Sequence, residues 1–180
     1  MIDESKLIED LKNPALKNKA FTTLLDLYQE RLYWHIRKMV VTHENADDVL
    51  QNTFIRVFRS IKTFKEKSTL LTWMYRIAYN ESLRYLEKNN KISHLSMDEI
   101  ELKNQDVLTQ DIYFDADAVQ QKLHKVVEQL SDKQGMVFKM KYFDDLSFKQ
   151  IAAISDVSEN TLKSSYYTAV KLIEEKMLAS

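Results

Sequence analysis

Apolar positions recur at three-and-four spacing along this chain, the period of a helix with one buried face. The clearest stretch carries Ala46, Val49, Leu50, Phe54, Val57, Phe58 and Ile61 on one stripe, which Thr53 joins by its methyl group. Opposite that stripe stand Asp47, Asp48, Gln51, Asn52 and Arg59, with the apolar Ile55 set outward among them. An isoleucine on a polar face points to a partner. A second helix comes next, turning Leu70, Leu71, Met74, Ile77, Ala78 and Tyr85 to the core. Down a different face run Trp73, Arg76, Asn80 and Arg84, and an indole, two guanidinium groups and an amide in one column suit nucleic acid better than a core.

Ahead of these helices, Asp3 is placed to cap a short helix carrying Leu7, Ile8 and Leu11, and Pro14 fits either the connection or the first turn of the second helix. That second helix sets Phe21, Leu24, Leu25, Tyr28, Leu32, His35, Ile36 and Met39 on one stripe, so His35 reads as a hydrogen-bonded core histidine. Residues 42–45 form the turn into the helix that carries Ala46 to Ile61, with Asn45 as its cap and Asp47 and Asp48 in the first turn, where the helix dipole favours carboxylates. From Lys88 to Asp115 helical periodicity is lost and the sequence reads as a linker, with enough scattered apolar residues to dock on a domain or thread into a partner.

The C-terminal part opens with Val119, Leu123, Val126, Val127 and Leu130 on one helix. Two capping-box patterns come after it, Ser131 with Gln134 and Ser147 with Gln150. The second starts a helix through Ile154, a turn at 155–158 and a last helix from Glu159 capped by Ser158, with the small Ala152 letting the two helices cross over Val157 and Leu162. This is a helix-turn-helix.

Composition narrows the classes. One glycine and one proline in 180 residues argue against hairpins, phosphate-cradling glycine loops and dinucleotide folds, so an all-α protein is expected. The length alone allows one domain or two; with the linker and the helix-turn-helix the expected fold class is all-α, two small helical domains, the second a helix-turn-helix, winged-helix-like without the wing. The absence of cysteine removes disulfides and thiolate metal sites, and the four histidines are too scattered for metal ligation, so neither metal nor cofactor is expected. No signal peptide or long apolar run is present, which predicts a soluble cytoplasmic protein without membrane insertion. A net charge of -1 hides strong segregation: residues 51–91 hold nine cations against three anions, whereas residues 92–116 hold one against six.

These residues resemble the bacterial RNA polymerase sigma factors of the extracytoplasmic-function type. The run Asp47-Asp48-Val49-Leu50-Gln51-Asn52-Thr53-Phe54 is similar to the family's helix that docks on the clamp coiled coil of core polymerase, and Phe64 to Asn80, containing TWMYRIAYN, is similar to the segment that opens the minus-ten element. The resemblance implies three parts: residues 1–90 as sigma region 2, residues 91–115 as an acidic linker, and residues 116–180 as the region 4 helix-turn-helix. It assigns polymerase binding to Asp47, Asp48, Gln51, Asn52 and Ile55. It assigns minus-ten DNA binding to Lys65, Lys67, Ser68, Thr69, Trp73, Arg76, Asn80 and Arg84, with loop 64–69 receiving a base flipped from the duplex. For Trp73 a core position and a stacking surface both remain open.

Minus-thirty-five binding falls by the same resemblance on Asn160, Thr161, Lys163, Ser164, Ser165, Tyr167 and Thr168, and one of Tyr166 and Tyr167 is expected to pack inward. Three features depart from the family pattern. Asp156 stands where glycine is common, and Ser165 and Thr168 stand where many members carry arginine, so no guanidinium reads guanine there. With Lys163 and Lys171 as the cations of the helix, this domain is expected to bind DNA feebly alone and to rely on tethering to polymerase. The implied partners are core RNA polymerase, promoter DNA and an anti-sigma factor, whose capture of such proteins is common in the family. Two other readings compete: a stand-alone helix-turn-helix regulator with an N-terminal effector or dimerisation domain, and an enzyme, for which no nucleophile-base constellation exists.

Overall fold

The computed structural model describes residues 3–40, 42–93 and 118–179, which are helical with no strand among them, and it divides the chain into two compact units at Ser96. In the first unit, α1 (Glu4–Lys12) starts at Asp3, whose Oδ1 accepts the Ser5 N–H at 3.0 Å. Pro14 lies in the connection to α2 (Lys17–Arg37), where Asn13 Oδ1 accepts the Ala15 N–H at 3.0 Å. Then come α3 (His43–Ser60), a 3-10 turn (Ile61–Thr63) and α4 (Leu70–Ser93).

Three helices build this core. Leu24, Leu32 and Ile36 of α2 meet Ala46, Val49 and Val57 of α3 and Leu70, Met74 and Ala78 of α4, all essentially without exposure. Each large side chain buried in this way contributes about 1.5–3 kcal/mol. His35 is buried with them and tilts against Tyr75 at a ring-centroid distance of 4.6 Å. Tyr75 is itself buried, whereas Leu71, Ile77 and Tyr85, expected inside, are only half-buried. The core face of α4 is therefore rotated slightly from the one the stripe predicts. Arg37, at the end of α2, is buried too and donates from Nη1 to the Val40 carbonyl at 3.1 Å, a placement favourable at the negative end of a helix.

Two helix boundaries differ from expectation. Thr42, not Asn45, caps α3, its hydroxyl accepting the Asn45 N–H at 3.2 Å, so the helix begins earlier and Asp47 and Asp48 lie beyond the first turn. At the other end α4 runs through Ser93, past the Lys88 where periodicity fades. The linker expected at 91–115 falls from residue 94 onward outside the described residues.

The second unit holds α5 (Ala118–Glu128), α6 (Asp132–Phe138) continuing into a π-helical turn (Lys139–Phe143), α7 (Phe148–Ser155) and α8 (Glu159–Leu178). Val126, Val127, Phe138, Ala169 and Ile173 form its centre, and Ile151, Ile154 and Leu162 close the crossing of α7 on α8. Val119, expected in this core, is 60% exposed because α5 has only just begun there. Both capping boxes form: Gln134 Oε1 accepts the Ser131 N–H at 3.3 Å, and Gln150 Oε1 accepts the Ser147 N–H at 2.9 Å while Ser147 Oγ accepts the Gln150 N–H at 3.2 Å. Ser158 caps α8 by accepting the Thr161 N–H at 3.2 Å.

Candidate functional site

The outward face of α3 carries Asp47, Asp48, Gln51 and Asn52, all exposed, and Ile55 at 42% exposure stands beyond them. Since the dipole field fades within the first turn, helix stabilisation does not account for Asp47 and Asp48, and the pair is available to a partner. Along α4, Arg76, Asn80 and Arg84 are exposed and Trp73 is half-buried, its ring tilted against the buried Phe64 at 5.1 Å. Trp73 is thus neither fully in the core nor fully exposed: its ring packs on Phe64 while part of it stays accessible to solvent.

The fold then joins residues that are far apart in sequence. An open groove between α3 and α4 is lined by Asn52, Ile55, Arg56 and Arg59 on one wall and by Ile77, Asn80, Glu81 and Arg84 on the other. Asn52 and Ile55, expected to bind polymerase, and Asn80 and Arg84, expected to bind DNA, share it. Glu81 is nearly buried there and pairs with both Arg56 and Arg84. Two guanidinium groups bound to one carboxylate, with Arg59 beside them, leave the groove net positive. Arg56 and Glu81 are absent from the sequence-derived site; the only signal is that Arg56 comes one turn after Asn52, and nothing in sequence links it to Glu81.

Loop 64–69 holds Lys65, Lys67, Ser68 and Thr69, all exposed. Thr69 is not simply available to a ligand: its Oγ1 accepts the Thr72 N–H at 3.2 Å, capping α4. Glu66 adopts a left-handed backbone with φ 56°. Anchored inward by Phe64, the loop turns its two lysines to solvent.

In the second unit, Asn160, Thr161, Lys163, Ser164, Tyr167 and Thr168 lie exposed along α8, and Ser165 is half-buried. Tyr166 is the tyrosine that packs, stacked on Phe138 at 6.0 Å and edge-on to Phe148 at 5.6 Å, and burial raises its pKa. Tyr167 stays 64% exposed. Asp156 ends α7 in the left-handed conformation, φ 59° and ψ 24°, the geometry for which glycine is common in such turns. Because α8 runs to Leu178, Lys176 joins Lys163 and Lys171 as a cation of this helix, but its ammonium is held by Gln129 Oε1 at 2.6 Å. Tyr142, at the π turn, escapes the sequence pattern as well: it is 57% exposed and stacks on Phe138 at 5.1 Å. Among the described residues no three histidine, aspartate or glutamate side chains gather as metal ligands, and no helix is long and apolar enough to cross a membrane.

A helical unit with a positively charged groove and a second unit built on a helix-turn-helix define a class of proteins that handle DNA. Residues 24–92 match the family model of sigma-70 region 2, and residues 120–173 match that of sigma-70 region 4. The chain is 28% identical over 167 residues to the ECF RNA polymerase sigma-E factor of Escherichia coli strain K12, covering 88% of this chain and 87% of that one. It is 24% identical over 163 residues to RNA polymerase sigma factor SigV of Bacillus subtilis, covering 91% and 94%. Its fold is similar to that of the sigma factor RpoE solved with the anti-sigma factor NepR from Bartonella quintana, with a TM-score of 0.74 at 23% identity over 88% of this chain and 97% of that one. It is also similar to CnrH solved with the cytosolic domain of CnrY, with a TM-score of 0.68 at 14% identity over 98% of each chain. The chain belongs to the sigma-70 family of RNA polymerase sigma factors, in its extracytoplasmic-function group.

Proposed function

We infer that this protein binds the core of RNA polymerase and directs promoter-specific initiation by recognising and melting promoter DNA. The observation that carries this is the occurrence of both sigma-70 regions in one chain, in order, each on its own compact unit. A stand-alone regulator is not favoured, because the N-terminal unit matches region 2 where that reading needs an effector or dimerisation domain. The protein makes and breaks no covalent bonds; it acts in the cytoplasm by supplying binding energy to a polymerase that does the chemistry.

We assign the docking face to Asp47, Asp48, Gln51, Asn52 and Ile55. Their exposure on one side of α3, with two carboxylates the helix itself does not need, supports this. The unpaired minus-ten strand is assigned to Lys65, Lys67, Ser68 and Thr69 of the loop and to Trp73, Arg76, Asn80 and Arg84 of α4: cations for phosphates, an indole edge for stacking and an amide for base edges. The minus-thirty-five element is assigned to Asn160, Thr161, Lys163, Ser164, Ser165, Tyr167 and Thr168. The parts expected at residues 1–90 and 116–180 are the two promoter-reading parts, and the tether between them starts beyond the end of α4 at Ser93. An anti-sigma protein is the natural regulator, and the α3–α4 surface is what it would cover.

Co-elution with bacterial core polymerase, run beside Asp48→Arg, tests the assignment. Stoichiometric co-elution by the natural chain, reduced tenfold or more by the variant at unchanged helicity, is the expected result on the roughly 1.4 kcal/mol per decade scale. Unchanged co-elution of Asp48→Arg removes this face from the docking surface, and no co-elution of the natural chain overturns the function.

A further inference from the structure

We propose that α1 is a brace that sets loop 64–69 for base capture, with Glu4 and Lys12 as positioning residues; the proposal rests on reading that loop as the receiver of the unpaired base. Helix α1 lies outside the span matched by region 2, which begins at residue 24. Leu7, Ile8 and Leu11, at 5%, 5% and 1% exposure, seat it firmly in the first unit. Its two ends then reach the loop at two different points. Glu4, the first residue, accepts the Leu70 N–H on Oε1 at 3.1 Å, where the loop becomes α4, and its Oε2 receives the Tyr28 hydroxyl at 3.4 Å. Lys12, the last residue, places its ammonium 2.6 Å from Glu66 Oε1 in the middle of the loop and 5.9 Å from the centre of the Phe64 ring.

Glu66 is the residue that most needs holding. Its left-handed backbone costs about 1–3 kcal/mol and persists only where the surroundings over-determine it. Its charge matters as much. It is the single carboxylate of the loop and stands between Lys65 and Lys67, where it would neutralise the cations that a phosphate seeks. Drawn aside by Lys12, it leaves both lysines to a nucleic-acid backbone. The Lys12–Glu66 pair is largely exposed, 32% and 55% for the two side chains, and such pairs contribute little to folding, so its consequence lies in loop geometry and charge rather than in stability.

The test uses the full chain assembled on bacterial core polymerase, offered a pool of short randomised single-stranded DNA, with the retained strands sequenced. The natural chain enriches a base at the captured position and at neighbouring positions. Lys12→Ala and Glu4→Ala should flatten the preference at the captured position about fivefold, the loss expected if the loop is competent only a fifth of the time. Preferences elsewhere, polymerase co-elution and the urea midpoint should hold for Lys12→Ala, and Lys12→Arg should restore the captured base. A merely structural role for Lys12 would instead move the urea midpoint or lower all positions together, and either result overturns the proposal. Lys65→Ala separates the two levels: flattening by this variant alone removes the brace and keeps the loop reading, whereas no flattening by any of the variants removes the loop reading and the brace with it.

Discussion

Asp156 holds the turn of the helix-turn-helix in a left-handed conformation that aspartate tolerates better than most residues. Asp156→Val should therefore lower stability by about 1–2 kcal/mol, read as a reduced urea midpoint, because a β-branched side chain meets the backbone at this φ; an unchanged midpoint would show that the turn relaxes freely. Tyr28 gives a second prediction at this scale. Burial first, then the neighbouring Glu4 charge, raise its pKa above the ordinary 10.0, so the folded state prefers the neutral phenol more than the unfolded chain does. That preference is fully present below pH 10 and is lost as the pH rises through the folded value, so the urea midpoint should fall on the alkaline side. Tyr28→Phe should make the decline shallower, and an identical decline would assign it to other groups.

At the scale of elements, the helix starts were the most legible feature, because a cap is a local agreement between a side chain and the backbone three residues on. Ser131, Ser147 and Ser158 all stand at the starts their sequence patterns predict. Ser147→Ala should cost about 1 kcal/mol and loosen α7, checked by faster amide exchange through residues 148–150 with little change in α3. The α3 cap is ambiguous in sequence because Thr42 and Asn45 are both good caps and only packing chooses between them. On α8, Lys163 is exposed and suited to a phosphate; Lys163→Ala should weaken duplex binding several-fold and reduce its salt slope by about 1, and an unaltered slope would take the residue off the DNA.

Across the whole molecule, the charge segregation visible in sequence has a clear consequence. Residues 117–180 carry nine cations and nine anions, and the structure ties Lys176 to Gln129, so the helix-turn-helix unit has little general attraction for DNA. The free protein should bind promoter duplex no better than the non-specific range of about 10⁻⁴–10⁻⁶ M at physiological salt, and only the complex with polymerase should bind tightly. Titration of labelled duplex with and without core polymerase checks this, and tight binding by the free chain would return the stand-alone regulator to favour.

Sequence alone determined the helical class, the order of the elements, the helix-turn-helix and the outward residues of α3 and α4, because helical period and capping are encoded within a few neighbouring residues. Tertiary structure decided what depends on residues distant in the chain. It brought Arg56 to Glu81, buried Tyr75 against His35 while leaving Leu71, Ile77 and Tyr85, predicted for the core, only half-buried, and chose Tyr166 over Tyr167 for the core. It also set the ends of α1 against Glu66 and Leu70, more than fifty residues away, through contacts that no periodicity can announce because each partner is, in its own neighbourhood, an ordinary surface charge or helix start.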